Sequence, residues 1–177
     1  RQHADSVFRS VHSSSLLSVL VGLFAGIFGA VMSQKILRLM SVPPDVLPLA
    51  SLYLRIYILG SPATVVYNFG AAILRALGDT KHPLYYLTAA GVLNVVCNLF
   101  FVCVLKMDVA GVALASAISQ YLAAFLVLRC LTREENACRL SFKMLHIYKE
   151  ETLEMIRIGI PAGLQSTIFS ISNVLIQ

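Results

Sequence analysis

Charge is what this sequence has least of. Only 13% of its 177 residues are Asp, Glu, Lys or Arg, against 58% hydrophobic, and a water-facing surface cannot be built from that mixture. A soluble domain is excluded, so lipid has to cover much of the chain. Metal and redox spacings are missing too. The cysteines Cys97, Cys103, Cys130 and Cys138 form no CxxC and no ligand set with the histidines, so no metal and no cofactor is expected. Cys97 and Cys103 read instead as small apolar fillers of a span. There is no HExxH, no GxGD-type aspartate pair and no Ser with a His inside an apolar run, and an enzyme is not expected. No n-region, h-region or small-residue cleavage site precedes the first apolar stretch, so nothing here is expected to be a removable leader. Although the net charge is +5, the basic residues flank apolar runs and form no patch interleaved with aromatics, which argues against nucleic acid. With Arg1 in place of an initiator Met and Gln177 inside an apolar run, the chain is expected to be a central fragment of a longer protein.

Long apolar runs are what the sequence does have. Crossing a hydrocarbon core of roughly 30 Å takes about 20 helical residues with few charges. Five stretches qualify: Ser13–Gln34, with its helix running on to 40, then Val46–Leu74, Pro83–Leu105, Val109–Leu128 and Ile158–Gln177. Unpaired backbone groups are too costly in lipid for anything but helices at these lengths. The fold class expected is all-α, a polytopic transmembrane bundle. Short connections at 41–45, 76–82 and 106–108 make consecutive helices antiparallel neighbours. The exception is the polar stretch Arg129–Arg157, whose amphipathic part from Phe142 suits the membrane interface and which would link two bundles.

Orientation follows from the cations. Arg1, Arg9, Arg75, Lys81 and six in the long linker fall on one side, and Lys35, Arg38, Arg55 and Lys106 on the other. The positive-inside rule puts the start of the chain, the 75–82 loop and the 129–157 linker in the cytoplasm of a multi-pass cell-membrane protein. Arg55, the one charge within the second span, is expected to snorkel.

Several segments together are more telling than any one. Tyr53-Leu54-Arg55-Ile56-Tyr57, the run from Tyr67-Asn68-Phe69-Gly70 through Leu77-Gly78-Asp79-Thr80-Lys81-His82-Pro83, the Leu93-Asn94 and Cys97-Asn98 stretch, Val109-Ala110-Gly111-Val112 and Arg157-Ile158-Gly159-Ile160-Pro161 follow one another in a characteristic order. In that order the chain resembles a multidrug and toxic compound extrusion (MATE) transporter, over essentially its whole length. The resemblance implies helices three to seven of a twelve-helix, two-bundle transporter. Residues 1–128 would be the later part of the first bundle, with spans 13–40, 46–74, 83–105 and 109–128. Residues 129–152 would be the cytoplasmic linker and 153–177 the start of the second bundle. It also implies antiport, driven by protons or sodium through alternating access, that exports drugs or other amphipathic, often cationic small molecules, by a monomeric protein. The alternative is a lipid-linked oligosaccharide or lipid flippase of the same superfamily, disfavoured because Arg55 alone offers a cation for an anionic substrate. A non-transporting membrane subunit is a third reading.

The residues themselves single out Asn94 and Asn98. Spaced i, i+4, they share a face of the third span, and polar groups in a span mark function or packing. As packing glue each amide contributes about 0.6 kcal/mol, and both readings stay open. The resemblance adds Tyr53, Asn68 and Ser116 to an ion-responsive network, and Gln165 as a residue facing the cleft from the last span. Asn98 stands where some relatives carry a carboxylate, so it does not titrate here. In the second connection, Arg75, Gly78, Asp79 and Pro83 form a loop motif. Read physically, it is a turn with a capping side chain and a proline near the first turn of the next helix.

Overall fold

The computed structural model describes residues 2–133, 140 and 146–176. It is an all-α chain with no strand among those residues: α1 (Gln2–Leu39), α2 (Leu47–Leu59), α3 (Ser61–Ala76), α4 (Lys81–Leu99), α5 (Asp108–Arg133) and α6 (Lys149–Ile176). A single π-helical turn, Phe100–Val104, extends α4. Among the described residues four segments are long and apolar enough to cross a membrane: Ser6–Leu39, Leu47–Ala76, Lys81–Val104 and Asp108–Arg133. The fifth expected span, Ile158–Gln177, is helical as far as Ile176 within α6. At 38 residues, α1 is far longer than the expected 13–40. At 1.5 Å per residue it reaches about 57 Å, so it projects beyond the hydrocarbon. Three of its buried serines donate within the helix, Ser14 to Val11 O at 3.1 Å, Ser18 to Ser15 O at 2.7 Å and Ser33 to Ala30 O at 2.9 Å.

The helices lie in the order α6, α1, α2/α3, α5, α4. Although the 77–80 turn between α3 and α4 is short, the two helices barely touch along their length, since α5 inserts between them. This departs from the expectation that consecutive helices pack side by side. The reason lies on α5, where buried Gly111, Ala113, Ala115, Ala117, Ala123 and Ala124 present almost no side-chain bulk and admit close neighbours. A cluster of Ala63, Val66 and Ala124 joins α3 to α5, and Val11, Leu74, Val127, Leu131 and Leu140 close the bundle at one end.

The expected second span is interrupted. Pro62 has no N–H to continue a helix, and Gly60 ends α2 with its own N–H on Tyr57 O at 2.9 Å. Breaking a helix inside a membrane frees a carbonyl, and a side chain takes it: Tyr121 OH donates to Leu59 O at 2.9 Å, while Gly60 O keeps the Thr64 backbone N–H at 3.1 Å. The break rests on α1, where a Cβ at Gly22 would sit 2.6 Å from Pro62 Cα. Gly26 and Gly29 continue that contact along Pro62, Ser61 and Ile58.

Of the linker, only its ends and Leu140 are described. Leu140, 2% exposed, sends its N–H to Leu131 O at 3.0 Å. The Tyr148 N–H reaches Ser13 Oγ at 3.0 Å, and Arg9 lies over the Tyr148 ring at 5.3 Å. The interfacial helix expected from Phe142 onward begins in 141–145, outside the described residues; beyond them 146–148 form no helix, and from Lys149 the chain is already in α6.

Candidate functional site

Two polar residues one helical turn apart on α4 must either find partners or meet water. Asn94 and Asn98 find each other, with Asn98 Nδ2 donating to Asn94 Oδ1 at 2.9 Å. Asn94 Nδ2 in turn donates to Ser116 Oγ and Ser119 Oγ on α5, 3.3 Å each. Those hydroxyls pass their protons to their own helix, Ser116 to Val112 O at 3.1 Å and Ser119 to Ser116 O at 2.8 Å. The result is a directed chain of donors from one helix to the next. Two acceptors are left over, since Asn98 Oδ1 and Gln120 Oε1 are buried without a partner. Such atoms cost about 1–3 kcal/mol each unless something satisfies them.

Beside this chain lies a cavity of about 490 Å³, lined by polar Thr64, Tyr67, Asn68, Asn94, Ser119 and Gln120 together with apolar Leu87, Ala90, Gly91 and Ala123. Its size and its few polar groups on an apolar wall suit a small organic molecule. Asn68 and Asn94 therefore meet at one cavity, with Ser116 and Asn98 attached behind Asn94. Tyr53 is elsewhere, half-buried and stacked on Tyr57 with ring centroids 5.9 Å apart. Gln165 is exposed on α6, which packs along α1 on the far side of the bundle. Arg55 departs from simple snorkelling, because its Nε donates to Ser33 Oγ on α1 at 3.2 Å. Ser119, Gln120, Thr64 and Tyr67 had no place in the sequence reading. The signal for two of them was available, since Ser119 and Gln120 lie three and four residues beyond Ser116 in an otherwise apolar span.

The loop motif is built as a turn. Gly78 adopts φ +86°, a left-handed conformation that glycine accepts without strain. Asp79 Oδ1 accepts the His82 backbone N–H at 3.1 Å, and Asp79 Oδ2 lies 2.5 Å from His82 Nδ1. Slight burial works to raise the Asp79 pKa, but the hydrogen bonds and charge of His82, with a Lys81 backbone N–H, outweigh it and hold the carboxyl below its ordinary value. Tyr67 OH donates to Pro83 O at 2.8 Å, fixing the start of α4 to α3. Arg75 Nε turns back to Ala71 O at 3.1 Å. Among the described residues no group of His, Cys, Asp and Glu is placed to hold a metal ion.

The MatE family model matches residues 2–100, more than half of the chain. The chain belongs to the MatE family. It is 36% identical over 160 residues to a probable multidrug resistance protein, YpnP, of Bacillus subtilis (strain 168), covering 89% of this chain and 35% of that protein. It is 34% identical over 123 residues to Protein DETOXIFICATION 43 of Arabidopsis thaliana, covering 68% of this chain and 23% of that one. This MatE chain thus spans about a third or less of the length of such relatives. A crystal structure of a MATE in the bent conformation superposes with a TM-score of 0.83 at 21% identity, covering 97% of this chain and 43% of that one. An inward-facing multidrug resistance MATE transporter superposes at 0.74 with 20% identity, covering 89% of this chain and 41% of that one. Fold and family together make it a multi-pass membrane chain of the MatE family.

Proposed function

We propose that the intact protein is a secondary active antiporter that exports drugs or other amphipathic, often cationic small molecules in exchange for protons or sodium. The cavity between α3, α4 and α5 would be part of its substrate path. The observation that carries this reading is the donor chain from Asn98 through Asn94 to Ser116 and Ser119, set against a cavity with an unpaired Gln120 oxygen on its wall. Relatives named for multidrug resistance support the efflux class. An amphipathic cation would place its apolar body on Leu87, Ala90 and Ala123 and its charge toward amide oxygens.

Binding can drive export only if the two access states hold the ligand differently. The amide and hydroxyl chain gives α4 and α5 a set of bonds that a substrate or ion can exchange for its own. No acid lies inside it, so the ion-binding carboxylate would belong to helices outside this chain, and Asn98 would support such a group through hydrogen bonding. A cytoplasmic location for the start of the chain, the 75–82 loop and the linker, in a plasma-membrane protein working as a monomer, completes the reading.

The test is Asn94→Leu combined with Asn98→Leu in the intact protein. Gradient-driven efflux of a fluorescent cation from vesicles should fall at least about tenfold, while the amount of folded protein in the membrane stays near normal. Unchanged efflux would assign the amides to packing alone, and so would a loss of folded protein in step with activity.

A further inference from the structure

At the opposite end of α4 from the Asn pair, a second cavity of about 400 Å³ lies where α4 begins and α5 ends. Its lining is His82, Tyr86, Leu126, Arg129, Cys130 and Arg133. The spacing explains the convergence, since His82 and Tyr86 are one turn apart on α4, while Leu126, Arg129, Cys130 and Arg133 follow one face of α5. Both ends of this pocket coincide with ends of apolar spans, Lys81–Val104 and Asp108–Arg133, so it sits at the depth of lipid headgroups.

Two arginines facing a cavity call for an anion. Among the described residues neither Arg129 nor Arg133 forms an ion pair, whose single instance is His82 with Asp79. Asp79 is engaged by the His82 ring and backbone N–H and is not part of the lining. Glu134 and Glu135 follow Arg133 in the chain and fall outside the described residues. Guanidinium forks match the paired oxygens of a phosphate better than a point charge does. The remaining walls are apolar or aromatic, and the flank of α4 beside His82 and Tyr86 is exposed and largely apolar: Tyr85 is 61% exposed, Val92 61% and Val96 56%. A free phosphate would have no use for that surface, whereas an acyl chain would lie along it.

We propose that this pocket binds the phosphate of an anionic phospholipid, with Arg129 and Arg133 holding the oxyanion, His82 at the rim and an acyl chain on the α4 face. Basic pockets between transmembrane helices recognise headgroups in this way. The site is separate from the amide cavity, and its occupancy is readable without any transport assay.

The experiment uses the intact protein, purified and exposed to mixed micelles containing phosphatidylglycerol or phosphatidylcholine, with bound lipid counted by native mass spectrometry. A parallel arm offers inorganic phosphate alone. One phosphatidylglycerol should remain bound in preference to phosphatidylcholine, and Arg129→Gln with Arg133→Gln should weaken it about thirtyfold. Arg38→Gln with Lys106→Gln removes the same charge at the other end of the bundle and should leave binding unchanged. If the first double variant does not fold, Arg133→Gln alone carries the test and should weaken binding about fivefold. Equal losses in both double variants would mean diffuse attraction, and no loss in the arginine variants would mean no site; either overturns the proposal. Inorganic phosphate binding with the same arginine dependence, undisturbed by lipid, would overturn phospholipid as the source of the oxyanion.

Discussion

Gly22 and Gly91 are both glycines inside long membrane helices, yet their surroundings differ completely. A Cβ at Gly22 would stand 2.6 Å from the Pro62 backbone, whereas at Gly91 nothing lies within 4 Å. Gly22→Ala must therefore push α1 off α3 and should destabilise the protein by about 1–3 kcal/mol. Gly91→Ala meets no obstacle and should leave stability unchanged or slightly raised. Thermal unfolding of the two variants in detergent reads the contrast, and equal melting temperatures would contradict it. The sequence displayed both glycines alike, because what separates them is a proline forty residues further along the chain. For the same reason Asn94, Asn98 and Ser119 were all visible as polar residues in spans, while the partnership of Ser119 with Asn94 was not. That partnership depends on which face of α5 turns toward α4. Tyr53 shows the converse, a residue of suitable chemistry that the fold sends to a stack with Tyr57.

The turn between α3 and α4 concentrates the local chemistry of an element boundary. The Asp79 carboxyl is held below its ordinary pKa by the hydrogen bonds it accepts. Its ionised form is thus favoured by the fold, so its contribution is complete above the ordinary carboxylate range and disappears as pH falls through the lowered value. Asp79→Asn should lower the melting temperature at pH 6, and the difference from wild type should vanish on acidification below that value. A difference that persisted unchanged into strong acid would show that the charge plays no part. This turn was legible beforehand because Gly78, Asp79 and Pro83 act through their own backbone preferences. The starts of the helices α2, α4 and α5 were legible from hydropathy for the same local reason, whereas the early start of α1 at Gln2 was not. The interruption at Gly60 was not, although Gly60-Ser61-Pro62 is compatible with one, since mean hydropathy stays high across the break and the freed Leu59 carbonyl is taken by Tyr121 from a distant helix. Nor was the π-helical turn Phe100–Val104, which has no compositional signature. Insertion of α5 between α3 and α4 depends on packing shape and had no signal in the lengths of the loops.

For the molecule as a whole, orientation is the property that transport direction depends on. In the topology expected from the sequence, ten of its 14 Lys and Arg residues would share a side with Cys130 and Cys138. In intact cells an impermeant thiol reagent should leave both cysteines unlabelled, and inverted vesicles should expose them. Labelling from outside would reverse the orientation. A different consequence follows from the contact of Gly22, Gly26 and Gly29 with the broken α2/α3 segment. Helices usually lock together because the side chains of one seat between those of the other, and sliding then means climbing from one seat to the next. A track of glycines has little relief, so it resists lifting apart by dispersion contact while offering little friction along its length. The interrupted helix has a rail to move on.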